Sequence, residues 1–333
     1  MIVWRDPSEV GPLRGSGGRA VAIGAFDGVH LGHQAVLRLV RDLARARGLR
    51  STVLTFDRHP AEVVRPGSAP KLLTTLEQKL ELLEATEAVD ECLVLAFDEA
   101  RSKEPAEDFV AELLAGVLGA RLVVVGADFH FGYRRHGDVA LLQRMGAELG
   151  FEVLGLGLVA SPESEEAPDG GVPYSSTRAR TLLALGEVEL AATILGRPHE
   201  VRGRVEQGDR RGRELGFPTA NVAVPERLCL PADGVYVGTY IGEDGIERPA
   251  AISLGRRPTF YAESGMLLLE AHVLDFDGDL YGQAARVRFL HRLRGQERFD
   301  DFDDLVAQMR RDVEAVRALD RGGSAGGSGS LAR

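Results

Sequence analysis

The hydrophobic rhythm of the chain changes once, near Arg197, and that change restricts the folds open to it. From Ala20 to Leu158, short apolar or β-branched runs alternate with longer amphipathic stretches, the pattern of a doubly wound α/β domain. Strand candidates are Ala20–Ala25, Ser51–Phe56, Glu91–Ala96, Arg121–Gly126 and Glu152–Leu158. The stretches between them predict helices over Leu31–Arg47, Leu76–Ala85, Pro105–Leu118 and Val139–Leu149, with Pro105 suited to a first helical turn. Beyond Arg197, strands follow one another at Val201–Glu206, Gly234–Ile241, Arg248–Leu254, Leu267–Leu274 and Ala284–Phe289, separated by turn signals, which predicts a small β-barrel. One amphipathic helix closes it, because Phe302, Leu305, Val306, Met309, Val313 and Val316 fall on a single face. The expected division is a first domain over residues 1–186, a second over 187–320, and a flexible Gly/Ser-rich tail over 321–333. With 333 residues, either domain can bury its own core.

The composition, 44% hydrophobic and 27% charged, is that of a soluble globular protein. No apolar run is long enough to cross a bilayer and no basic-plus-apolar leader follows Met1, so the expectation is a cytoplasmic protein without a membrane partner. A formal net charge of −10 argues against nucleic acid as a partner, which needs a basic face. The arginines between Arg41 and Arg50 read as a solvated helix face. Cys92 and Cys229 are expected as buried thiols. A homo-oligomer is compatible with all of this.

The richest stretch is Gly24–His33, G-A-F-D-G-V-H-L-G-H, at a strand-to-helix turn. Backbone N–H groups in a first helical turn lack intrahelical partners, and the helix dipole adds partial positive charge, so such a turn receives anions. His30 and His33 are three apart and share one helix face. Gly28 and Gly32 let the backbone come close, and Gly28 suits a positive φ. Gly24, Phe26, Asp27, Gly28 and Gly32 are therefore candidates for a nucleotide-phosphate site, with His30 and His33 as catalytic groups. Capping histidines beside glycines would be a plainer account. The glycine spacing does not fit G-x-G-x-x-G, and G-x-x-x-x-G-K-[ST] does not occur, which disfavours a dinucleotide fold or a P-loop kinase.

Ligands of doubly wound sheets sit beyond the carboxyl ends of the strands, where F-D-R-H-P (56–60) and G-A-D-F-H-F-G-Y-R-R-H-G-D (126–138) also fall. Ser161–Pro173, acidic and rich in Pro, Gly and Ser, reads as a mobile loop. Next, Y-S-S-T-R-A-R opens a helix. Ser175, Ser176 and Thr177 could be a bare cap, but Arg178 and Arg180 in the first turn oppose the dipole unless an anion is bound.

In the second domain, residues 203–221 read G-R-V-E-Q-G-D-R-R-G-R-E-L-G-F-P-T-A-N. Gly208, Gly212 and Gly216, with Arg204, Arg211 and Arg213, describe a pliable, positively charged loop able to close over phosphates. Thr219 and Asn221, two apart, offer neutral oxygens on one side of an extended segment. These suit Mg²⁺ carried on ATP. A simple Pro-Asn turn competes with that reading. Glu270, in the apolar run L-L-L-E-A-H-V-L-D, could take a proton from an attacking hydroxyl, and alternation alone also allows it to face solvent.

G-A-F-D-G-V-H-L-G-H, T-F-D-R-H-P, D-F-H-F-G followed by R-x-G-D, and S-S-T-R-x-R resemble the FMN adenylyltransferase module of bacterial bifunctional riboflavin kinase/FAD synthetases. G-R-E-L-G-F-P-T-A-N, D-G-V-Y, R-P-T-F, Glu270 and D-L-Y-G resemble the riboflavin kinase module of the same family, in the same order, over nearly the whole chain to about Leu319. The resemblance implies a nucleotidylyltransferase-type sheet domain, then a six-stranded antiparallel barrel with a C-terminal helix. It implies that riboflavin and ATP give FMN, and that FMN and a second ATP give FAD and pyrophosphate. It implies His30 and His33 at the α-phosphate transition state and Ser176, Thr177, Arg178 and Arg180 on the phosphates. Asp128, Phe129 and Gly132 would form adenine and flavin pockets, Thr219 and Asn221 would hold Mg²⁺-ATP, and Glu270 would activate the ribityl hydroxyl. The chain departs from the family at Ala25, where Asn is frequent, at Arg58 (Pro), at Ala179 (Ile) and at Arg257 (Asn). Two other readings compete: a different adenylyl- or cytidylyltransferase with a β-rich partner domain, and a flavin-binding module that has lost turnover.

Overall fold

A computed structural model describes residues 1–13, 17–157, 173–207, 216–259, 262–299 and 301–325, with 257–259, 262–267, 320 and 322–325 described by backbone alone. The expected loop at Ser161–Pro173 lies outside the described residues except for Pro173, as do Gly208, Arg211, Gly212 and Arg213. Two compact units divide the chain, Met1–Ser176 and Thr177–Arg333.

The first unit holds six parallel strands, β1 (Ile2–Trp4), β2 (Arg19–Ile23), β3 (Arg50–Phe56), β4 (Glu91–Leu95), β5 (Ala120–Gly126) and β6 (Glu152–Leu156), in spatial order β1-β4-β3-β2-β5-β6. Both faces are covered, so β2 and β4 are buried at every position. Alternation divides β2 between two cores. Ala20 and Ala22 pack with Leu37, Val40 and Ala44 of the helix Leu31–Arg47 and with Leu83 of the helix Leu76–Ala85. Val21 and Ile23 pack with Phe109, Val110, Leu113 and Leu114 and with Leu141 and Leu142 of the helix Val139–Leu149. Strand order reverses at β2, between β3 and β5, and the crevice at that reversal is where such sheets bind ligands.

Local signals account for the helix limits. His30 caps the first helix and Gly48 ends it in the left-handed region. Thr75 and Gln78 form a reciprocal capping box. The stretch expected as one helix over Pro105–Leu118 is instead a short turn, Ala106–Asp108, leading into a wider helix, Phe109–Val117, closed by an i→i+5 bond from Leu118 N to Leu113 O at 2.9 Å. The sheet also starts earlier than Ala20, because Ile2–Trp4 pairs with β4. Three residues at an edge, two of them exposed, carry no readable periodicity.

The second unit contains a closed antiparallel barrel, β7 (His199–Glu206), β8 (Ala220–Ala223), β9 (Gly234–Ile241), β10 (Glu247–Thr259), β11 (Ala262–Val273) and β12 (Ala284–Arg294), in order β10-β11-β8-β7-β12-β9. Val201, Val205, Ala220, Val222, Ile252, Leu254, Leu269, Ala271, Val287 and Phe289 are among its buried residues, at alternate positions along their strands. The helix Phe302–Ala325 lies on the barrel, with Val313 and Val316 against Val237, Ala251, Leu274 and Leu293. Its backbone stays helical through Gly322 to Ala325, beyond the point where composition predicts a tail.

The contact division at Ser176/Thr177 precedes the expected one after Gly186. The helix Ser176–Leu185 packs largely with the second unit, where Leu183 O accepts from Ala232 N at 2.9 Å and Leu185 O accepts from Arg292 at 3.0 Å.

Candidate functional site

The turn after β2 holds the first candidate site. Gly24 N still reaches Leu54 O at 3.1 Å, and the chain then leaves the sheet. Phe26 and Val29 adopt φ of 50° and 39°, a region costly for any residue with a Cβ and most of all for a β-branched one. Three sets of bonds hold this strained path. The buried Asp27 carboxylate accepts from Leu73 N at 3.0 Å and from Thr74 N at 3.1 Å. Gly28 N, at φ 81°, donates to the Thr74 hydroxyl at 3.2 Å. Gln34 donates to Val29 O at 3.1 Å. Asp27, a candidate for the phosphate site, thus has its carboxylate on the backbone of the neighbouring loop, while its carbonyl accepts from Ser176 Oγ at 2.8 Å.

The histidine pair emerges from this frame. The rings of His30 and His33 stack at 3.6 Å between centroids, 21° from parallel, and Phe26 meets His33 edge-on at 5.1 Å. His30 Nδ1 accepts from His33 N at 3.3 Å, so a neutral His30 carries its proton on Nε2. His33 Nδ1 is buried without a hydrogen-bond partner among the described residues. Burial first, then the neighbouring His30 and Lys79, hold the His33 imidazole well below its usual pKa. At Gly32 a Cβ would lie 3.2 Å from the His30 ring and 3.1 Å from Tyr174 Cβ, so the close approach itself calls for glycine.

The other loops of this edge are more local. In F-D-R-H-P, Asp57 accepts from Phe97 N at 2.9 Å and from Arg58 at 3.1 Å, and His59 Nδ1 accepts from Ala61 N. Beyond β5, Phe129 stacks on Phe131 at 5.4 Å and Asp128 O bonds His130 Nδ1 at 2.8 Å. Gly132 has φ 71°, and a Cβ there would lie 2.6 Å from Ala106 Cα, so packing demands this glycine. Thr177, Arg178 and Arg180 occupy the first turns of the helix that Ser176 begins.

A residue that sequence reasoning missed completes the turn. Lys79 Nζ, buried, donates to Ala25 O, Thr55 Oγ1 and Phe56 O at 3.2, 3.1 and 2.8 Å. Its signal lies in the pattern L-E-Q-K-L-E-L-L, where Lys79 occupies the apolar stripe of Leu76, Leu80 and Leu83.

The second candidate site lies in the barrel unit. Strand pairing sets Glu270 directly opposite Asn221, which places both side chains on one face of the sheet, and Thr219 precedes on the same side. Glu270 and Thr219 line a cavity of about 260 Å³ with Phe217, Ser253, His272 and the helix residues Leu305, Met309 and Val313. The wall carries a two-pronged pair, Arg294 to Asp312 at 3.1 and 2.7 Å, and Gln296 spans Ser253 Oγ and Leu254 O. Arg204 is exposed and donates to Gly282 O at 2.7 Å. Gly216, at φ 82°, has open space where a Cβ would stand, so its left-handed backbone is what favours glycine. Among the described residues no cluster of three His, Cys, Asp or Glu could hold a metal alone. Thr219, Asn221 and Glu270 on one face fit a hard cation that arrives already bound to phosphates. Both cysteines are buried thiols outside any disulfide, and burial pushes the Cys92 thiol up to about 12.

Comparison with known proteins covers both units. Residues 14–165 match the FAD synthetase family and residues 195–319 the riboflavin kinase family. The bifunctional riboflavin kinase/FMN adenylyltransferase of Escherichia coli K12 is 38% identical over 300 residues, 90% of this chain and 92% of that protein. The Pseudomonas fluorescens protein of the same name is 39% identical over 302 residues, 91% of this chain and 93% of its own. A solved Streptococcus pneumoniae structure, named a macrolide-efflux protein, superposes with a TM-score of 0.80 at 29% identity, covering 95% of this chain and 98% of that one. That name belongs to that protein. Here, among the described residues, no helix is long and apolar enough to cross a membrane.

Proposed function

The chain belongs to the bifunctional riboflavin kinase/FMN adenylyltransferase family, and from that premise we propose that its two sites divide the two reactions between them. Riboflavin and ATP give FMN and ADP; FMN and ATP give FAD and pyrophosphate. The barrel cavity takes riboflavin, and the Gly24–His33 turn takes the second ATP. The observation that carries this assignment is the grouping of Glu270 and Thr219 on one cavity, with Asn221 in register opposite Glu270.

In the barrel, Glu270 accepts the proton of the ribityl 5′-hydroxyl as that oxygen attacks the γ-phosphorus of ATP and ADP leaves. Thr219 and Asn221 present oxygens to a divalent metal on the nucleotide, which we take to be Mg²⁺ and which supplies neutralisation of the phosphate charge. By their sequence pattern alone, Gly208, Gly212, Arg213 and Gly216 belong to a basic, glycine-rich segment suited to binding these phosphates. Phe217, Leu305, Met309 and Val313 supply the apolar surface for the flavin ring.

In the sheet unit, a phosphate oxygen of FMN attacks the α-phosphorus of ATP and pyrophosphate leaves. The backbone amides that open the helix Leu31–Arg47 receive the phosphates, and His30 donates from Nε2 to the developing charge. His33, kept neutral by burial, stacks on His30 and fixes its ring. Ser176, Thr177, Arg178 and Arg180 extend the anion site, and Asp128, Phe129 and Gly132 border the adenine and flavin. We place the enzyme in the cytoplasm, where ATP and riboflavin meet.

Incubation of the full chain with riboflavin and Mg²⁺-ATP, followed by chromatography, tests the reading. FMN should appear first and FAD after it. Absence of FMN would sink the kinase assignment.

A further inference from the structure

The helix Leu76–Ala85 buries one charged side chain among leucines. Leu76, Leu80 and Leu83 pack toward the sheet, and Lys79, 8% exposed, falls on the same stripe. An ammonium out of water is costly unless its protons find acceptors. Here three acceptors are supplied by the ends of two neighbouring strands: Ala25 O at 3.2 Å, Thr55 Oγ1 at 3.1 Å and Phe56 O at 2.8 Å. Thr55 donates its own hydroxyl hydrogen bond to Ala25 O at 3.2 Å, so lysine, threonine and carbonyl close a small ring of bonds.

The position of this ring matters. The β2–β3 ladder ends in the bond from Gly24 N to Leu54 O, and the next residue, Ala25, has already left the strand. Lys79 continues the joining of the two strands one step past the ladder. Phe26 follows immediately, at φ 50°, with its ring 5.1 Å from that of His33. Asp27 and Asp57 lie close enough to offset the lysine charge, while burial pulls its pKa down. A cavity of about 20 Å³, room for one water, is lined by Lys79, Asp27, Asp57, Arg58 and His59.

We propose that Lys79 is a positioning residue for adenylyl transfer: by tying Ala25 to the end of β3, it fixes the backbone from which Phe26, His30 and His33 are presented. The inference rests on the reading that this turn receives the nucleotide phosphates. Its effect on the reaction comes through geometry, since a misplacement of about 1 Å at reacting groups can cost roughly a hundred-fold in rate.

The test uses the full chain as Lys79→Met, which keeps the side-chain length without the cation, and as Thr55→Val, which keeps the shape and removes the bridging hydroxyl. Formation of FAD from supplied FMN is measured beside formation of FMN from riboflavin, with a thermal melt of each variant. Lys79→Met should lower kcat for FAD formation by about ten- to a hundred-fold. The KM for FMN should change far less, and riboflavin phosphorylation should be unchanged. Thr55→Val should show the same split, smaller, and the double variant should lose less than the product of the two single losses. If Lys79→Met fails to fold, Thr55→Val alone decides.

An unchanged kcat in the folded variant overturns the proposal. So does a loss that only tracks the unfolded fraction, or an equal loss in both activities. His30→Ala, run in parallel, separates the premise from the inference. If it leaves FAD formation intact, the phosphate-site reading fails. If it stops FAD formation while Lys79→Met and Thr55→Val leave kcat untouched, only the role of Lys79 fails.

Discussion

The two sites are built by opposite means. The sheet unit frames its candidate site with local backbone, a strained turn with Phe26 and Val29 at positive φ and a helix N-terminus, which presents two histidine side chains three residues apart. The barrel unit makes its site from side chains on a sheet face, with a helix laid across them, and draws on residues from Phe217 to Val313. A site framed by backbone is held by buried polar bonds, here those of Asp27, Thr74 and Lys79. A site roofed by a helix depends on whatever holds the roof down. In the barrel unit that role falls to the apolar seam of Val313 and Val316 on Val237, Ala251, Leu274 and Leu293, with the ion pair of Arg294 and Asp312 beside it.

The sharpest way to break the comparison is to silence one site and watch the other. Glu270→Gln keeps the size of the side chain and removes the proton acceptor, a loss of about 10²–10⁴ in rate for a general base. Riboflavin phosphorylation should fall by that factor while supplied FMN still becomes FAD. His30→Ala should do the reverse, with FAD formation down about 10²–10³, as for loss of one donor at a developing charge. Chromatography of the flavins reads both. Parallel loss of both activities in a folded variant would mean that the reactions share a site.

A smaller effect tests the roof. Asp312 is 7% exposed and also accepts from Gln308 at 2.9 Å, so Asp312→Ala takes from the Arg294 guanidinium its two-pronged carboxylate and leaves it Glu297 at 3.9 Å. Removing one member of a fully buried pair costs about 3–5 kcal/mol; for this part-buried pair, with Glu297 still near Arg294, a smaller loss is expected, to be read from denaturant unfolding of the variant. Because Met309 and Val313 lie on the same helix, the KM for riboflavin should rise while FAD formation from FMN is kept. An unchanged KM would separate the pair from the cavity.

The same contrast governs what the sequence reveals. Gly24–His33 is contiguous, so the turn and the helix Leu31–Arg47 could be read from local spacing, cap and glycine alone. Glu270 was ambiguous because alternation allows either face; the register with Asn221, forty-nine residues away as 270 minus 221, is a product of barrel closure. Spacing places Arg204 at the start of a basic, glycine-rich stretch, but its bond to Gly282 O, seventy-eight residues on, is a product of the fold. Lys79 was hidden for another reason. A lysine in an amphipathic helix normally marks the wet face, and only the strand ends above it explain a dry one. Asp27 shows the same limit: its place in the motif was legible, but its bonds to Leu73 and Thr74 depend on a loop far along the chain.

The smallest expected effect lies in acid stability and tests how dry the histidine pair is. Burial, His30 and Lys79 lower the His33 pKa in the folded chain from an ordinary 6.5. Above that value neither folded nor unfolded His33 binds a proton, and the stability attached to its neutral state is complete. As pH falls below 6.5, the unfolded chain takes up a proton that the folded chain refuses, so stability drops until the folded pKa is passed. The slope from one such group is at most about 1.4 kcal/mol per pH unit. His33→Gln should therefore flatten the unfolding free energy of the sheet unit between neutral pH and about pH 5, where carboxylates begin to titrate. The barrel unit, which unfolds around its own core, should keep its profile. An unaltered slope in His33→Gln would mean that water reaches this ring, and the contrast between a dry site framed by backbone and a side-chain site under a helix would lose its footing.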